Sequence, residues 1–170
     1  MGKKIAVLIT DLFEDVEFTE PAKAFEEAGH SVITIERDSG KTVKGKQGNA
    51  TVPIDQGIDE ADPKDFDALF LPGGFSPDQL RADKRFVQFT KTFMDDMKPV
   101  FAICHGPQLL ISAKSLEGRQ ATGYTSIKVD MEYAGAQYKD QEVVVCSNQL
   151  VTSRNPDDIP AFIKESLHLL

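Results

Sequence analysis

Hydrophobic residues fall along this chain in short unbroken runs separated by amphipathic stretches. Ile5-Ala6-Val7-Leu8-Ile9, between Lys4 and Thr10, is continuous, the pattern of a central parallel strand covered on both faces. Ser31 to Ile35, Asp67 to Leu71 and Val100 to Ile103 repeat it and predict further buried strands. Between the first two, Thr19-Glu20-Pro21 predicts a helix start, with Thr19 as N-cap and Pro21 in the first turn. Ala22, Phe25, Glu26 and Ala28 continue that helix and Gly29 stops it, which leaves Asp11 to Phe18 as an acidic loop. A strand, a short crossover helix and a strand imply parallel neighbours joined right-handedly.

Lys84 to Met97 carries apolar residues at helical spacing (Phe86, Val87, Thr90, Phe93, Met94, Met97), a stripe that serves core packing. Gly118 to Tyr124 reads as a short strand and loop, and Ile127 to Ala134 as a modest helix. Glu142 to Cys146 and Gln149 to Ser153 flank Ser147-Asn148, a hairpin with a tight turn. Arg154 to Asp158 leads into a last helix, Ile159 to Leu169, capped by Asn155 or Asp157. The stretch from Asp38 to Gly57 differs: Lys41, Lys44 and Lys46 alternate with small and polar residues. It reads as short strands or a ribbon on the sheet edge, with the lysines solubilising that edge in preference to meeting an anion. No repeat or linker interrupts the pattern, so residues 1–170 are expected to form a single α/β domain. The expected fold is a flavodoxin-like three-layer sandwich, a mostly parallel sheet with helices on both faces.

Charge narrows the partners. The chain carries a formal net charge of −8, so it lacks the basic footprint that nucleic acid or an anionic membrane requires. The apolar run after Lys3-Lys4 is too short for a signal peptide and no run approaches a membrane span, so a soluble, cytoplasmic protein is expected. In a reducing compartment Cys104 and Cys146 are expected to stay free.

The chemistry concentrates where Val100-Phe101-Ala102-Ile103 meets Cys104-His105-Gly106-Pro107 and a helix over Gln108 to Ala113. Pro107 suits a first helical turn, where its missing N–H has no partner to lose. Ala102 and Gly106 flank the cysteine with the small residues a sharp strand-to-helix bend needs. This is the logic of a nucleophile elbow, with cysteine in place of serine. Such a turn aims backbone N–H groups at what the nucleophile attacks, and the helix start behind it favours a thiolate.

Ligands in open α/β sheets bind at the carboxyl ends of the strands. Three loops there hold Glu14, Asp15 and Glu17, then Gly73-Gly74, then Cys104-His105. Cys104 is the candidate nucleophile and His105 its base; the N–H groups of Gly74 and His105 would form an oxyanion hole if the loops lie side by side. Either Glu17 or Glu14 could reach the thiol, and a buried carboxyl held protonated would donate to a thiolate. Spacing alone does not separate this from a solvated acidic turn. Among His30, His105 and His168 only His105 has a site context, so no metal set is expected.

Phe13-Glu14-Asp15-Val16-Glu17, Leu71-Pro72-Gly73-Gly74, Ala102-Ile103-Cys104-His105-Gly106-Pro107-Gln108 and Val151-Thr152-Ser153-Arg154 resemble the motifs of the PfpI family. That family belongs to the ThiJ/PfpI superfamily, which is class I glutamine amidotransferase-like. It takes in intracellular cysteine peptidases, general stress proteins, glyoxalases and the parkinsonism-associated deglycase. The resemblance covers essentially the whole chain and implies that Glu17 hydrogen-bonds the Cys104 nucleophile, with His105 beside it. In the family's peptidases a glutamate from a neighbouring subunit completes a Cys-His-Glu triad; the matching residue here is Asp78, one methylene shorter, which sets proteolysis behind other thiol chemistry. Glu14, Gly73 and Tyr124 are expected to line the substrate site.

The resemblance further implies glyoxalase or deglycase activity on a small carbonyl compound or a modified protein or peptide, without a cofactor, in a homodimer or larger homo-oligomer. The alternative is a non-catalytic redox-sensing or chaperone-like stress protein that uses oxidation of Cys104.

Overall fold

The computed structural model describes residues 1–170. In chain order its strands are β1 (Lys4–Leu8), β2 (Ser31–Glu36), β3 (Thr42–Lys44), β4 (Thr51–Pro53), β5 (Gln56–Gly57), β6 (Ala68–Leu71), β7 (Val100–Ile103), β8 (Gln120–Ala121), β9 (Gln137–Tyr138), β10 (Val144–Cys146) and β11 (Leu150–Ser153). The helices are α1 (Asp15–Glu27), α2 (Ser76–Leu80), α3 (Lys84–Asp95), α4 (Pro107–Ser112), α5 (Lys128–Tyr133) and α6 (Ile159–His168).

Seven strands form one sheet in the order β10-β11-β7-β6-β1-β2-β5. All its neighbours are parallel except β10 and β11. The solid apolar runs account for this, because both faces are covered. On one face α1 and α6 pack together over Phe25, Phe70, Phe101 and Phe162. On the other, Leu69, Phe86, Phe93, Leu109 and Met131 pack under α3, α4 and α5. The central parallel strands succeed one another as second, first, third, fourth, fifth, the flavodoxin-like order, whose switch point lies between β1 and β6. The chain ends leaving β1, β6 and β7 therefore converge on one crevice.

Two details depart from the sequence reading. Helix α1 begins at Asp15, with Glu14 as N-cap, so the second half of the expected acidic loop is helical, Thr19 is not a cap, and Pro21 lies inside the helix. Proline there removes the bond to the Glu17 carbonyl, at a cost of ~3 kcal/mol or more in an ordinary helix interior. The helix persists because Phe18, Ala22 and Phe25 are buried against the sheet and because acidic residues suit a first turn. The Asp15 carboxylate also accepts N–H bonds from Gln47, Asn49 and Ala50 at 2.7–2.8 Å.

Those three bonds explain the second departure. Only β5 of the lysine-rich stretch joins the sheet edge; β3 and β4 form a separate antiparallel hairpin whose loop is held down on the start of α1. Its lysines are not simply edge solubilisers, since Lys41 pairs with the buried Glu36 and Lys46 pairs with Glu14. Elsewhere the expectations hold. Ser147 and Asn148 both adopt positive φ (55° and 51°) in the tight β10–β11 turn. Asn155 caps the 3₁₀ turn that feeds α6, accepting the Asp157 N–H at 3.0 Å, whereas α6 itself starts from Asp158 without a side-chain cap bond. No helix is long and apolar enough to cross a membrane.

Candidate active site

Cys104 stands at the end of β7 with φ at +62°, a left-handed conformation that costs about 1–3 kcal/mol for a residue with a side chain. The bend is locked by its neighbours. The Cys104 N–H donates to the Ser153 carbonyl at 3.0 Å, and the Gly106 N–H donates to the Ile103 carbonyl at 2.8 Å. A Cβ on Gly106 would lie 2.4 Å from the Leu71 carbonyl oxygen, so only glycine fits. This is the elbow the small residues announced.

The β6 and β7 loops lie side by side, since Gly74, Cys104 and His105 line one pocket, and the Gly74 and His105 N–H groups favour a charge on the Cys104 sulfur. Gly74 reaches this position through φ of +76°, and a Cβ there would lie 2.4 Å from the Glu14 nitrogen. Gly73 sits behind the pocket wall, between Glu17 and Cys104.

Glu17 is fully buried. Neither carboxyl oxygen has a hydrogen bond of good geometry, although the Cys104 thiol and the Gly73 N–H stand close enough to stabilise its charge. Enclosure thus dominates: burial, and then the charge of Glu14, push the carboxyl up to about 8, so it holds a proton at neutral pH. The expectation of a depressed thiol is not met. Burial, and then the Glu17 charge, push Cys104 up to about 12 against the pull of the Gly74 and His105 N–H groups. When Glu17 is protonated the second cause disappears.

A pocket of about 400 Å³ opens over this centre, lined by Glu14, Glu17, Lys46, Gly74, Phe75, Cys104, His105, Tyr124 and Pro156. Larger grooves, such as one of about 420 Å³ between α1 and β4, contain no cysteine or histidine. Glu14 and Tyr124 thus both line this pocket, and Gly73 does not. Lys46 is the residue the sequence reading misplaced: its ammonium lies 2.9 Å from Glu14 Oε2 and above the Phe75 ring. The bond to Glu14 holds Lys46 firmly protonated.

His105 Nδ1 lies 3.3 Å from Cys104 Sγ, and its Nε2 lies 3.1 Å from Ser126 Oγ. The Tyr124 ring stacks on the imidazole, 5.0 Å between centroids. Burial and the charge of Lys46 hold His105 below its ordinary range, and Asp78 opposes them from α2. Asp78 is exposed and makes no hydrogen bond to His105 within the chain. Ser126 was not visible in the sequence, where Thr125-Ser126 is an unremarkable polar pair after Tyr124. Arg154, at the end of the fourth motif, binds Asp158 with two nitrogens and fixes the start of α6.

The chain resembles known proteins along its whole length. General stress protein 18 of Bacillus subtilis (strain 168) is 72% identical over all of this chain and 99% of its own length. Protein/nucleic acid deglycase 2 of Escherichia coli (strain K12) is 64% identical over the same shares. Among solved structures, a two-domain Anabaena variabilis protein with DJ-1/ThiJ/PfpI-like and ferritin-like domains superposes with a TM-score of 0.94 at 40% identity, over 98% of this chain and 47% of that one. Residues 3–169 match the DJ-1/PfpI family, and the chain belongs to it.

Proposed function

We propose that this protein is a cysteine-dependent enzyme of the deglycase or glyoxalase type, acting on small reactive carbonyls or the adducts they leave on proteins. The observation that carries the reading is the meeting, in one pocket, of the Cys104 thiol on its positive-φ turn, the His105 Nδ1 at 3.3 Å from that sulfur and the buried Glu17 carboxyl. The His105 Nδ1 lone pair takes the thiol proton and the thiolate adds to the carbonyl carbon. The new alkoxide lies between the Gly74 and His105 N–H groups, and Glu17 supplies the proton that completes a hemithioacetal. An acyl carbon would pass through the same tetrahedral alkoxide; the bond to its amine or alcohol group then breaks, that group leaves with the proton His105 took from the thiol, and a thioester remains on the sulfur. Glu14, Lys46 and Tyr124 shape the mouth, and no step calls for a cofactor. A relative named as a protein/nucleic acid deglycase supports this reaction class; the −8 charge favours protein adducts over a polyanionic backbone. Peptidase activity ranks lower, because Asp78 does not hold His105 within the chain. The reading includes a homodimer, or a larger homo-oligomer, that brings Asp78 close to a neighbour's site.

The test is methylglyoxal consumption by the wild type and by Cys104→Ser in thiol-free buffer. Turnover that disappears with the sulfur supports the reading; equal turnover overturns it. No turnover by the wild type, with ready conversion of Cys104 to its sulfinic acid under mild peroxide, would favour the redox-sensing alternative.

A further inference from the structure

We infer that Ser126 is the positioning residue of His105, supplying within one chain the hold on the imidazole that the family's peptidases take from a neighbouring subunit. The inference rests on the reading of His105 as the base for Cys104, and it concerns how that base is held.

An imidazole acts as a directed base only if one nitrogen faces the nucleophile and the other is fixed by a partner. His105 Nδ1 faces Cys104 Sγ at 3.3 Å, and the side-chain atom bonded to Nε2 is Ser126 Oγ at 3.1 Å. Serine is placed there by backbone, not by chance contact. The Tyr124 N–H donates to the Cys104 carbonyl at 2.8 Å, which ties the turn directly to the nucleophile's own residue. The Ile127 N–H closes the 3₁₀ turn on the Tyr124 carbonyl at 3.0 Å, and the Tyr138 hydroxyl donates to the Gly123 carbonyl at 2.7 Å. Gly123 is pressed against Met131 and the Cys104 carbonyl, with a hypothetical Cβ 2.9 Å from Met131 Sδ. The turn that carries Ser126 therefore moves with the elbow. Tyr124, from the same turn, covers one face of the imidazole, so one short segment fixes both the plane and the distal nitrogen of the ring.

A hydroxyl in this place differs from a carboxylate in a useful way. It accepts from Nε2–H while the thiol donates to Nδ1, and it remains a neutral acceptor after the S–H bond breaks and the Nδ1–H bond forms. It adds no negative charge beside the imidazolium. The charges facing the ring are then Lys46 from the β3–β4 hairpin, Asp78 from α2 and the coupled Glu17–Cys104 pair beneath it. With burial first, and then Lys46, outweighing Asp78, the ring stays neutral and available as a base at pH 7. The resting ring should carry its proton on Nε2.

Nitrogen-15 NMR of the histidines (there are three) reads this without any substrate, so it stands or falls separately from the carbonyl chemistry. In the wild type, His105 should be predominantly the Nε2–H tautomer. Ser126→Ala should leave a mixture of tautomers and slow iodoacetamide labelling of Cys104 by about threefold or more, the loss of one modest hydrogen bond, with Cys146 unchanged as internal reference. Ser126→Thr should restore both. Ser126→Asp should raise the His105 pKa by roughly one unit or more, as a carboxylate partner does. Ser126 is exposed and its turn is held by backbone bonds, so these variants should fold. An unchanged tautomer ratio and unchanged Cys104 labelling in Ser126→Ala would overturn the inference.

Discussion

Gly73 is the spacer between Glu17 and Cys104: a Cβ added to it would lie 2.4 Å from Glu17 Oε1 and 2.7 Å from Cys104 Cβ. The acid and the thiol are close enough to share a proton only because this residue has no side chain. Gly73→Ala should therefore push the two apart. It should cost about 1–3 kcal/mol of stability, as overpacked cores do, and slow Cys104 alkylation by roughly tenfold, while Gly40→Ala, at an open loop position, leaves alkylation unchanged. Chemical denaturation and mass-resolved labelling measure the two effects. A Gly73→Ala protein with wild-type labelling would show that the acid and thiol work independently.

Glu17 makes stability depend on pH in a direction opposite to most carboxylates. Its folded pKa is raised from 4.5 to about 8, so between those values the folded state binds more protons than the unfolded chain. The stability tied to its proton is complete below about 4.5 and is lost as pH rises through 8. Glu17→Gln removes this dependence. Near pH 9 the variant should melt above the wild type, by on the order of 5 °C or more, and the gap should close as pH falls towards 5. The same substitution should remove the inflection near 8 from the pH profile of Cys104 alkylation, whereas Glu17→Ala should also lose the donor. A profile that neither variant moves would mean that Glu17 serves another purpose.

The solid strands were plain in the sequence because a strand covered on both faces must be apolar throughout, and the elbow was plain because few residues fit so tight a bend. What the sequence hid follows from non-local bonds. Pro21 marks a helix start by its own chemistry, yet α1 begins six residues earlier because the Asp15 carboxylate binds the N–H groups of Gln47, Asn49 and Ala50. The same bonds bring Lys46 to the pocket, so one long-range contact accounts for both misreadings. Ser126 has no periodic or motif signal; its part comes from the Tyr124–Cys104 backbone bond. A buried, protonated carboxyl beside the thiol could be named from the loop, but the choice of Glu17 over Glu14 could not, since that requires the true start of α1.

The two cysteines should react in an order the elbow alone would not suggest. Cys104 is only 7% exposed and its thiol is pushed up. Cys146 is partly open, and although burial works against it, the Arg119 side chain, the Gln120 N–H and the Ser147 hydroxyl hold its thiol below the ordinary value. Arg119 Nε lies 3.4 Å from its sulfur. Iodoacetamide at pH 7 should label Cys146 at least as fast as Cys104, and Arg119→Ala should slow Cys146 several-fold without touching Cys104. Much faster labelling of Cys104 in the resting protein would instead mean that the N–H donors outweigh burial at the elbow.

Assembly is the remaining lever on the site. Leu12, Val16 and Phe75 are exposed hydrophobic residues, at 46%, 37% and 56%, on the two loops that frame the pocket and on the first turn of α1. Leu12 also adopts φ of +67°, an unfavourable conformation for a leucine left in water. Such a rim beside Asp78 suits contact with a second copy, and a carboxylate arriving from that copy would share His105 Nε2 with Ser126, because Nδ1 faces Cys104. Sedimentation equilibrium of the wild type should give a dimer or larger species, and Phe75→Asp should shift it towards monomer, since a charge in an apolar contact is unpaired. With assembly confirmed equal, Asp78→Glu should raise cleavage of a peptide substrate, because the longer arm reaches an imidazole that aspartate falls short of, whereas methylglyoxal turnover should stay within about twofold. The reasoning for that split is that Ser126 already holds the ring for reactions needing only a neutral base, while peptide cleavage must stabilise the imidazolium that protonates an amine leaving group. A monomer in sedimentation, or an Asp78→Glu protein with no gain on peptides, would remove the shared site from this account and leave each chain's Cys104, His105 and Ser126 as a complete set.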